Sequence, residues 1–474
     1  MGTPSPAEIA AQTPPHRDRA IDVIRICALL GVVVGHTVMA TSMIRDDVFL
    51  WGNLLTTSPV LQALTWIFQI MPLFFFAGAA ASVTSWQPGT AWGAWLMQRC
   101  RRLFRPVFSY LLFWAVTLTV LVQVLPVHVY EPLAGISVQL LWFLGAYVLM
   151  LAAMPALYRI TSAGQLATAV AAVYVLVMVA DAVRLHHPGL APLGFVNLAA
   201  WLIPGMFGVA YRRGLLDART ALRLAGAMLA VNIVLVLGPY ELSLVGIEGQ
   251  RLTNMAPPSL LMAGHAIMLC ALAIAVGPAL NRWARRPRVW WCTAIGNSGA
   301  MTLYLWHMPA LLLMHLGFDL VGLHRYPGQP NLLLLSVIQL GVMTVLVAVA
   351  FQTLRPLENT PLPWWDAPVP TRHSPATGTA LCVAGAALLV SVKWGLKDDG
   401  LYCVAVTLAA LVTARVLSRS CAGTPDDSPQ GRAAWTAWLR RRGVRRPMPT
   451  SPSSAPEPPG TCASCRPRGL LPRP

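Results

Sequence analysis

The chain has 474 residues, of which 56% are apolar and only 11% charged, and its formal net charge is +17. That balance excludes a soluble globular protein, in which about 25% of residues are charged; this much apolar surface needs the bilayer as its solvent. In a soluble chain such a positive charge would point to nucleic acid. Here the arginines fall between apolar spans, so the expected partner is the lipid bilayer and no nucleic acid is expected.

Runs of about 20 apolar residues, enough for a helix to cross roughly 30 Å of hydrocarbon, predict spans at 20–43, 57–82, 104–125, 137–158, 166–183, 194–211, 220–238, 257–280, 290–316, 331–354, 377–393 and 401–418. The segment 1–19 is polar, and no cleavable signal peptide is expected, because the first apolar span carries Asp22, Arg25 and His36. In that span Arg25 and His36 are eleven residues apart, which is three helical turns plus about 20°. Both therefore project from one face, about 16 Å apart along the axis, and Asp22, three residues before Arg25, shares that face. Ionisable groups in lipid are costly unless they meet a cavity or a partner, which makes these three functional candidates. Gly31 and Gly35 form a GxxxG spacing suited to close helix packing.

The second span ends in Met71-Pro72-Leu73-Phe74-Phe75-Phe76-Ala77-Gly78, and a basic loop follows with Arg99, Arg101, Arg102 and Arg105. Guanidinium forks suit phosphates, although basic loops are also ordinary on the cytoplasmic side. His307 and His36 each fall about sixteen residues into an outward-running span, so their rings are expected at similar depth. His265 reads as a histidine bonded within the core. His128, Glu131, Asp181, His186, His187, Glu241 and Glu248 read as solvated loop residues. Six of the nine cysteines lie in or beside apolar spans, where a thiol acts as a small hydrophobe; Cys462 and Cys465 form a lone CxxC. No metal site and no bound cofactor are expected.

Arginine-rich segments alternate with segments that hold only Arg45, Arg184, Arg251, Arg325, Lys393 and Lys397. Read by the positive-inside rule, this alternation places both termini in the cytoplasm of a multi-pass protein of the cell membrane. Residues 419–474 form a basic tail expected to be disordered, with Trp435 and Trp438 beside Arg440, Arg441 and Arg442 suited either to solvent or to an anionic membrane surface.

The Arg25-to-His36 spacing, the Met71–Gly78 segment and the Arg99–Pro106 run together resemble the opening of the acyltransferase-3 family. The likeness continues through Leu141-Trp142-Phe143-Leu144, Gly296-Asn297-Ser298, Tyr304-Leu305-Trp306-His307 and Arg355-Pro356-Leu357-Glu358. The apolar spans read as an all-α, polytopic transmembrane helix bundle, in which the likeness implies a ten-helix core over residues 20–360, followed by two additional helices over 361–418. The likeness also implies transfer of an acyl group, acetyl foremost, from cytoplasmic acyl-CoA as co-substrate to a hydroxyl of a carbohydrate, lipid-linked sugar or small molecule. Arg25 and His36 match the family's central pair. Arg99 and Arg101, with Arg102 beside them, would bind the acyl-CoA, while Asp22, Tyr304 and His307 would position substrate. Two features depart from the family pattern: the aromatic segment ends in Phe-Ala-Gly-Ala, and two helices follow the usual ten.

The chemistry suits the residues. A neutral His36 can take the proton of an alcohol as it attacks a thioester, or can itself carry the acyl group; a donor for the oxyanion is not identified. Two other readings compete, a secondary transporter, suggested by twelve spans, and an acyl relay serving a separate extracytoplasmic transferase. The topology is checked by reporter fusions at residue 474 and in the 241–250 loop, which are expected to report opposite sides; the same side for both would mean a wrong span count.

Overall fold

The computed structural model describes residues 5–56, 58–247, 252–367 and 373–418. Trp435, Trp438, Arg440 to Arg442, the Cys462–Cys465 pair, Glu248, Arg251 and Arg372 lie outside the described residues. Among the described residues, twelve helical spans are long and apolar enough to cross a membrane. The protein is an all-α, multi-pass membrane bundle, and its one sheet among the described residues has two strands.

After a short helix α1 (Pro6–Gln12), the first span is α2 (Arg19–Met39). It stops short of the expected residue 43, because the chain turns into a hairpin of β1 (Ala40–Arg45) and β2 (Val48–Asn53). Asp46 and Asp47 both have positive φ, 50° and 58°, as a tight two-residue hairpin turn requires. The Ser42 N–H also donates to the Arg325 carbonyl, 2.9 Å away, which partners part of the strand edge.

The second span is broken into α3 (Pro59–Phe68) and α4 (Met71–Val83). Pro72 supplies the cause, since a proline ring collides with the carbonyl four residues earlier, here that of Phe68, and has no N–H to give. The GxxxG of α2 receives this break. A Cβ on Gly31 would lie 2.2 Å from Ile70 Cδ1, and one on Gly35 3.2 Å from Phe68 Cβ. Close packing therefore accounts for both glycines.

The third span, α5 (Trp92–Val124), begins twelve residues earlier than read from hydropathy. Arg99, Arg101, Arg102 and Arg105 thus lie on a helix and not in a loop, because Trp95, Leu96, Met97, Cys100 and Phe104 bury the opposite side of the same turns. The fourth span runs through α6 (Val127–Ile136) and α7 (Leu141–Ala152), with the turn α8 (Met154–Leu157) after it. Next come α9 (Ala163–His186), a 3-10 stretch Pro188–Trp201 leading into α10 (Leu202–Arg213), α11 (Ala218–Leu237) and α12 (Leu260–Trp283). The ninth span is also interrupted, into α13 (Pro287–Asn297) and α14 (Ala300–Leu320). Then follow α15 (Leu332–Asn359), α16 (Ser374–Ser391) and α17 (Asp399–Leu417).

α2, α10, α12 and α14 are well buried, whereas α9, α11 and α15 turn mostly apolar side chains outward. The last two helices are joined to the core: α16 packs on α5 and α7, and Ser374 Oγ accepts from the Gly93 and Ala94 N–H groups at 2.8 and 3.2 Å, capping α5.

Arg184 within α9 and Arg325 beyond α14, two of the arginines in the arginine-poor segments, have structural tasks. Asp181, read as a loop residue, is fully buried and accepts from Arg184 (3.0 Å), Asn197 (2.7 Å), Tyr240 (3.1 Å) and the Leu260 N–H (2.8 Å). Burial first, and this carboxylate second, push the Tyr240 phenol above its ordinary pKa. One carboxylate thereby ties α9, the 3-10 stretch and the start of α12 together. Asp181→Ala is expected to destabilise the fold by about 3–5 kcal/mol, since it strands a buried guanidinium; thermal unfolding in detergent, with Asp181→Asn losing less, checks this.

Candidate functional site

The polar residues read from the first span occupy two levels. At the end of the bundle where α1 lies, Asp22 and Arg25 stand near the start of α2, with Arg25 within electrostatic reach of Arg99 on α5. Arg25 Nη1 lies 4.0 Å from Asp22 Oδ1, too far for a hydrogen bond. Asp22 instead accepts a forked pair from Arg17, Nε at 2.7 Å and Nη2 at 3.2 Å, and that bonding lifts the Arg17 guanidinium above its ordinary pKa. Arg25 and Arg99 both act electrostatically on the Tyr147 hydroxyl, and Arg99 also bonds Ser85 Oγ. Arg102 is exposed. Arg101 is engaged elsewhere: its Nη1 donates to the Asp366 and Ala367 carbonyls at 2.9 and 2.8 Å. Beside it Arg105 forks onto the Asp366 carboxylate at 3.0 and 2.7 Å. These two arginines hold the segment between α15 and α16.

Deeper in the bundle His36 meets His307. His36 Nδ1 and His307 Nε2 are 2.9 Å apart. The ring centroids are 5.2 Å apart with planes 18° from parallel, the geometry of two imidazoles joined edge to edge. The expectation of similar depth holds, although the ninth span is interrupted at Ser298–Gly299 and His307 comes eight residues into α14.

The bonding fixes where the protons are. His307 Nδ1 faces the Leu303 carbonyl at 3.1 Å. A carbonyl only accepts, so this nitrogen carries the proton and His307 Nε2 is a lone-pair acceptor. His36 Nδ1 must then donate, which leaves His36 Nε2 unprotonated in the neutral ring. Among the described residues this nitrogen has no hydrogen-bond partner, and His36 borders a cavity.

The cavity measures about 490 Å³, within the range of small-molecule sites. Its wall includes Gly35 and His36 of α2, Trp51 and Asn53 of the hairpin, Gln69 and Met71 at the broken second span, Gln139 and Trp142 at the start of α7, Tyr304 of α14, and Tyr326. Irregular backbone inside a bilayer protein is tolerated where it lines such a space. Among the described residues that line it there is no Asp, Glu, Lys or Arg. Tyr304 donates its hydroxyl to the Leu140 carbonyl at 2.6 Å, which fixes one wall. His265, fully buried, bonds the Gln69 carbonyl at 3.0 Å and supports the break at that point. The carboxylate of Glu358 receives the Thr302 N–H and hydroxyl, both at 2.8 Å. A negative group there caps the first turn of α14 and sets that helix in place.

A further polar cluster was not read from the sequence. Gln339 donates to the Thr37 carbonyl (2.5 Å) and to His315 Nε2 (3.2 Å), so the His315 proton sits on Nδ1 and is given to Ser42 Oγ at 2.8 Å. Ser42 in turn donates to Asp319 at 2.5 Å, and His324 donates to the other carboxylate oxygen at 2.9 Å. A serine that is fully buried and donates to the acid is not a nucleophile; the cluster pins the hairpin to α14. Arg325 completes it, donating to the Val38 carbonyl at 2.8 Å and to the Ala40 carbonyl. Burial pushes this guanidinium down to about 10, still charged at neutral pH, and it faces the carbonyl end of α2, where a cation is favoured. The available signal was His315, eight residues beyond His307 on an apolar helix.

The arrangement is a part-buried imidazole at the wall of a cavity that shows no charged side chain among its described lining residues, with guanidinium groups at the opposite level of the same helix. The family model described as an acyltransferase domain, that of acyltransferase-3, matches residues 18–353. The chain belongs to the acyltransferase-3 family. This membrane acyltransferase gave no match among curated proteins or among solved structures. Family membership sets aside the transporter reading. In an acyltransferase free of native thiols, cysteines at positions 36 and 307 are expected to be joined by a short bifunctional reagent. Failure of every short linker would mean that α2 and α14 are not adjacent at this depth.

Proposed function

We propose that this acyltransferase moves an acyl group, acetyl foremost, from cytoplasmic acyl-CoA to a hydroxyl of a neutral acceptor, such as a sugar, lipid-linked sugar or small polyol, and that His36 is the general base. The observation that carries this reading is the unprotonated Nε2 of His36 at the wall of a cavity that holds aromatic rings and amides but no charged side chain. Aromatic faces and amides suit a polyhydroxylated molecule, and the absence of charge disfavours an anionic one.

The reaction balances on these groups. The acceptor oxygen attacks the thioester carbonyl carbon while its proton passes to His36 Nε2. The tetrahedral species then collapses, the carbon–sulfur bond breaks, and the thiolate takes the proton back from the imidazolium. An isolated imidazolium would be costly in this apolar interior. His36 Nδ1–H donating to His307 spreads that charge and strengthens the hydrogen bond, so His307 is a positioning residue that also sets the tautomer. Arg25, Arg99 and Arg102 are assigned to the phosphates of the donor. Arg101, read from sequence as part of that set, is assigned to holding the 360–367 segment, and Tyr304 to shaping the acceptor wall. Asp22 is kept from the reaction by Arg17. With the arginine-rich face in the cytoplasm of the cell membrane, donor and acceptor approach His36 from opposite sides.

The test uses purified protein in lipid nanodiscs, radiolabelled acetyl-CoA and a panel of hydroxyl acceptors. His36→Ala is expected to lose about 10²–10⁴-fold in transfer, the range of general-base catalysis, with insertion unchanged. His307→Gln, whose amide oxygen still accepts from His36 Nδ1, is expected to keep more activity than His307→Ala. A fully active His36→Ala enzyme would end the assignment.

A further inference from the structure

Sequence spacing pairs Asp22 with Arg25, three residues on along the same helical face. The structure gives Asp22 to a different arginine. Arg17 makes the two-pronged contact, at 2.7 and 3.2 Å, while Arg25 stays 4.0 Å away. Asp22 is nearly enclosed, its side chain 8% exposed, whereas that of Arg25 is 30% exposed. Among the described residues Arg25 makes no hydrogen bond.

Arg17 is brought there by an arm, residues 5–18, that folds across this face and is held at several points. Ser5 and Glu8 form a reciprocal cap on α1, which lies on α13. Trp290 Nε1 donates to Thr13 Oγ1 at 2.6 Å, and the guanidinium groups of Arg17 and Arg19 stand 5.6 and 4.7 Å from the Trp290 ring. Asp18 accepts from Arg212 at 3.2 Å, and the Arg19 N–H donates to Asn281 at 3.2 Å. A cavity of about 330 Å³, bordered by Arg17, Asp22 and Trp290, lies beneath the arm.

Two cations, Arg25 and Arg99, are close enough to influence the same phenol, and like charges so placed call for an anion between them. A carboxylate already stands near Arg25. Its two-pronged engagement by Arg17 leaves it at the outer limit of ion-pair distance from Arg25 and without a hydrogen bond to it. We propose that Arg17 is a positioning residue for the acyl donor: by occupying Asp22, the N-terminal arm keeps Arg25 open to the donor's phosphates, so the arm sets donor affinity. This rests on the proposed use of acyl-CoA.

The experiment measures steady-state transfer by full-length protein in nanodiscs, varying acetyl-CoA and acceptor separately. Arg17→Ala frees Asp22 to close on Arg25, so the KM for acetyl-CoA should rise by about tenfold, the scale of one charge-assisted hydrogen bond, while kcat and the acceptor KM hold. Arg17→Lys, which still offers Asp22 a cation, should fall between. The decisive variant is Arg17→Ala combined with Asp22→Asn. With no carboxylate left to compete for Arg25, the donor KM should return toward that of the wild type. A purely structural role for Arg17 predicts no such rescue. An unchanged donor KM in Arg17→Ala, or a raised one that persists in the double variant, overturns the proposal while the donor reading stands. A wild-type enzyme that turns over no acyl-CoA overturns both.

Discussion

A polar side chain deep in a bilayer protein has to find its hydrogen-bond partners within the protein, because no water reaches it from the lipid. For His36 that partner is His307, and much of the bundle serves to keep the two rings in line. The interruption at Ser298–Gly299 re-aims the ninth span, Glu358 caps the helix that starts after it, and Arg325 with the Ser42–His315–Asp319 cluster clamps the far ends of α2 and α14. Removing any of these leaves a buried donor or acceptor unmatched, which costs more than the bond itself contributed. The same contact that satisfies His36 also leaves its other nitrogen basic. In the proposed mechanism, one hydrogen bond therefore serves both packing and reactivity.

In the proposed function the two ends of α2 divide the work. At one level Arg25 and Arg99 lie within electrostatic reach of Tyr147, a setting for an anionic donor. At the other level the wall is aromatic and amide, a setting for a neutral acceptor. The cavity proposed for the acceptor is framed by the break of the second span at Pro72, and the glycines of α2 let the broken segment approach. The two helices that lie beyond the family match, α16 and α17, are not an appendage. Ser374 caps α5, and the segment leading to it is gripped by Arg101 and Arg105, so they hold the arginine-bearing helix from outside.

The class of fold was legible because span length and hydropathy are local properties, and so was the pairing of Arg25 and His36 on one face, which follows from helical period alone. The His36–His307 contact could be anticipated by depth but not established, since depth says nothing about which helices are neighbours. Interruptions were harder to read. Pro72 was visible in the sequence, yet a proline inside an apolar run marks a kink or a break only once its neighbours are known. Residues 40–43, the start of the hairpin, were absorbed into the first span because Ala40 and Met43 read as the end of an apolar helix. Arg101 and Asp181 show the deeper limit: a side chain's task depends on partners 265 and 79 residues away, which spacing within a motif does not reveal.

The most direct measurement is nitrogen nuclear magnetic resonance of the isotope-labelled histidines in membrane-embedded protein at neutral pH, assigned by single-histidine variants. The account predicts a neutral His36 with its proton on Nδ1, hydrogen-bonded to a ring nitrogen of His307, and an unprotonated Nε2. A His36 protonated at Nε2, with Nδ1 unprotonated, would contradict it, because no base would then face the cavity.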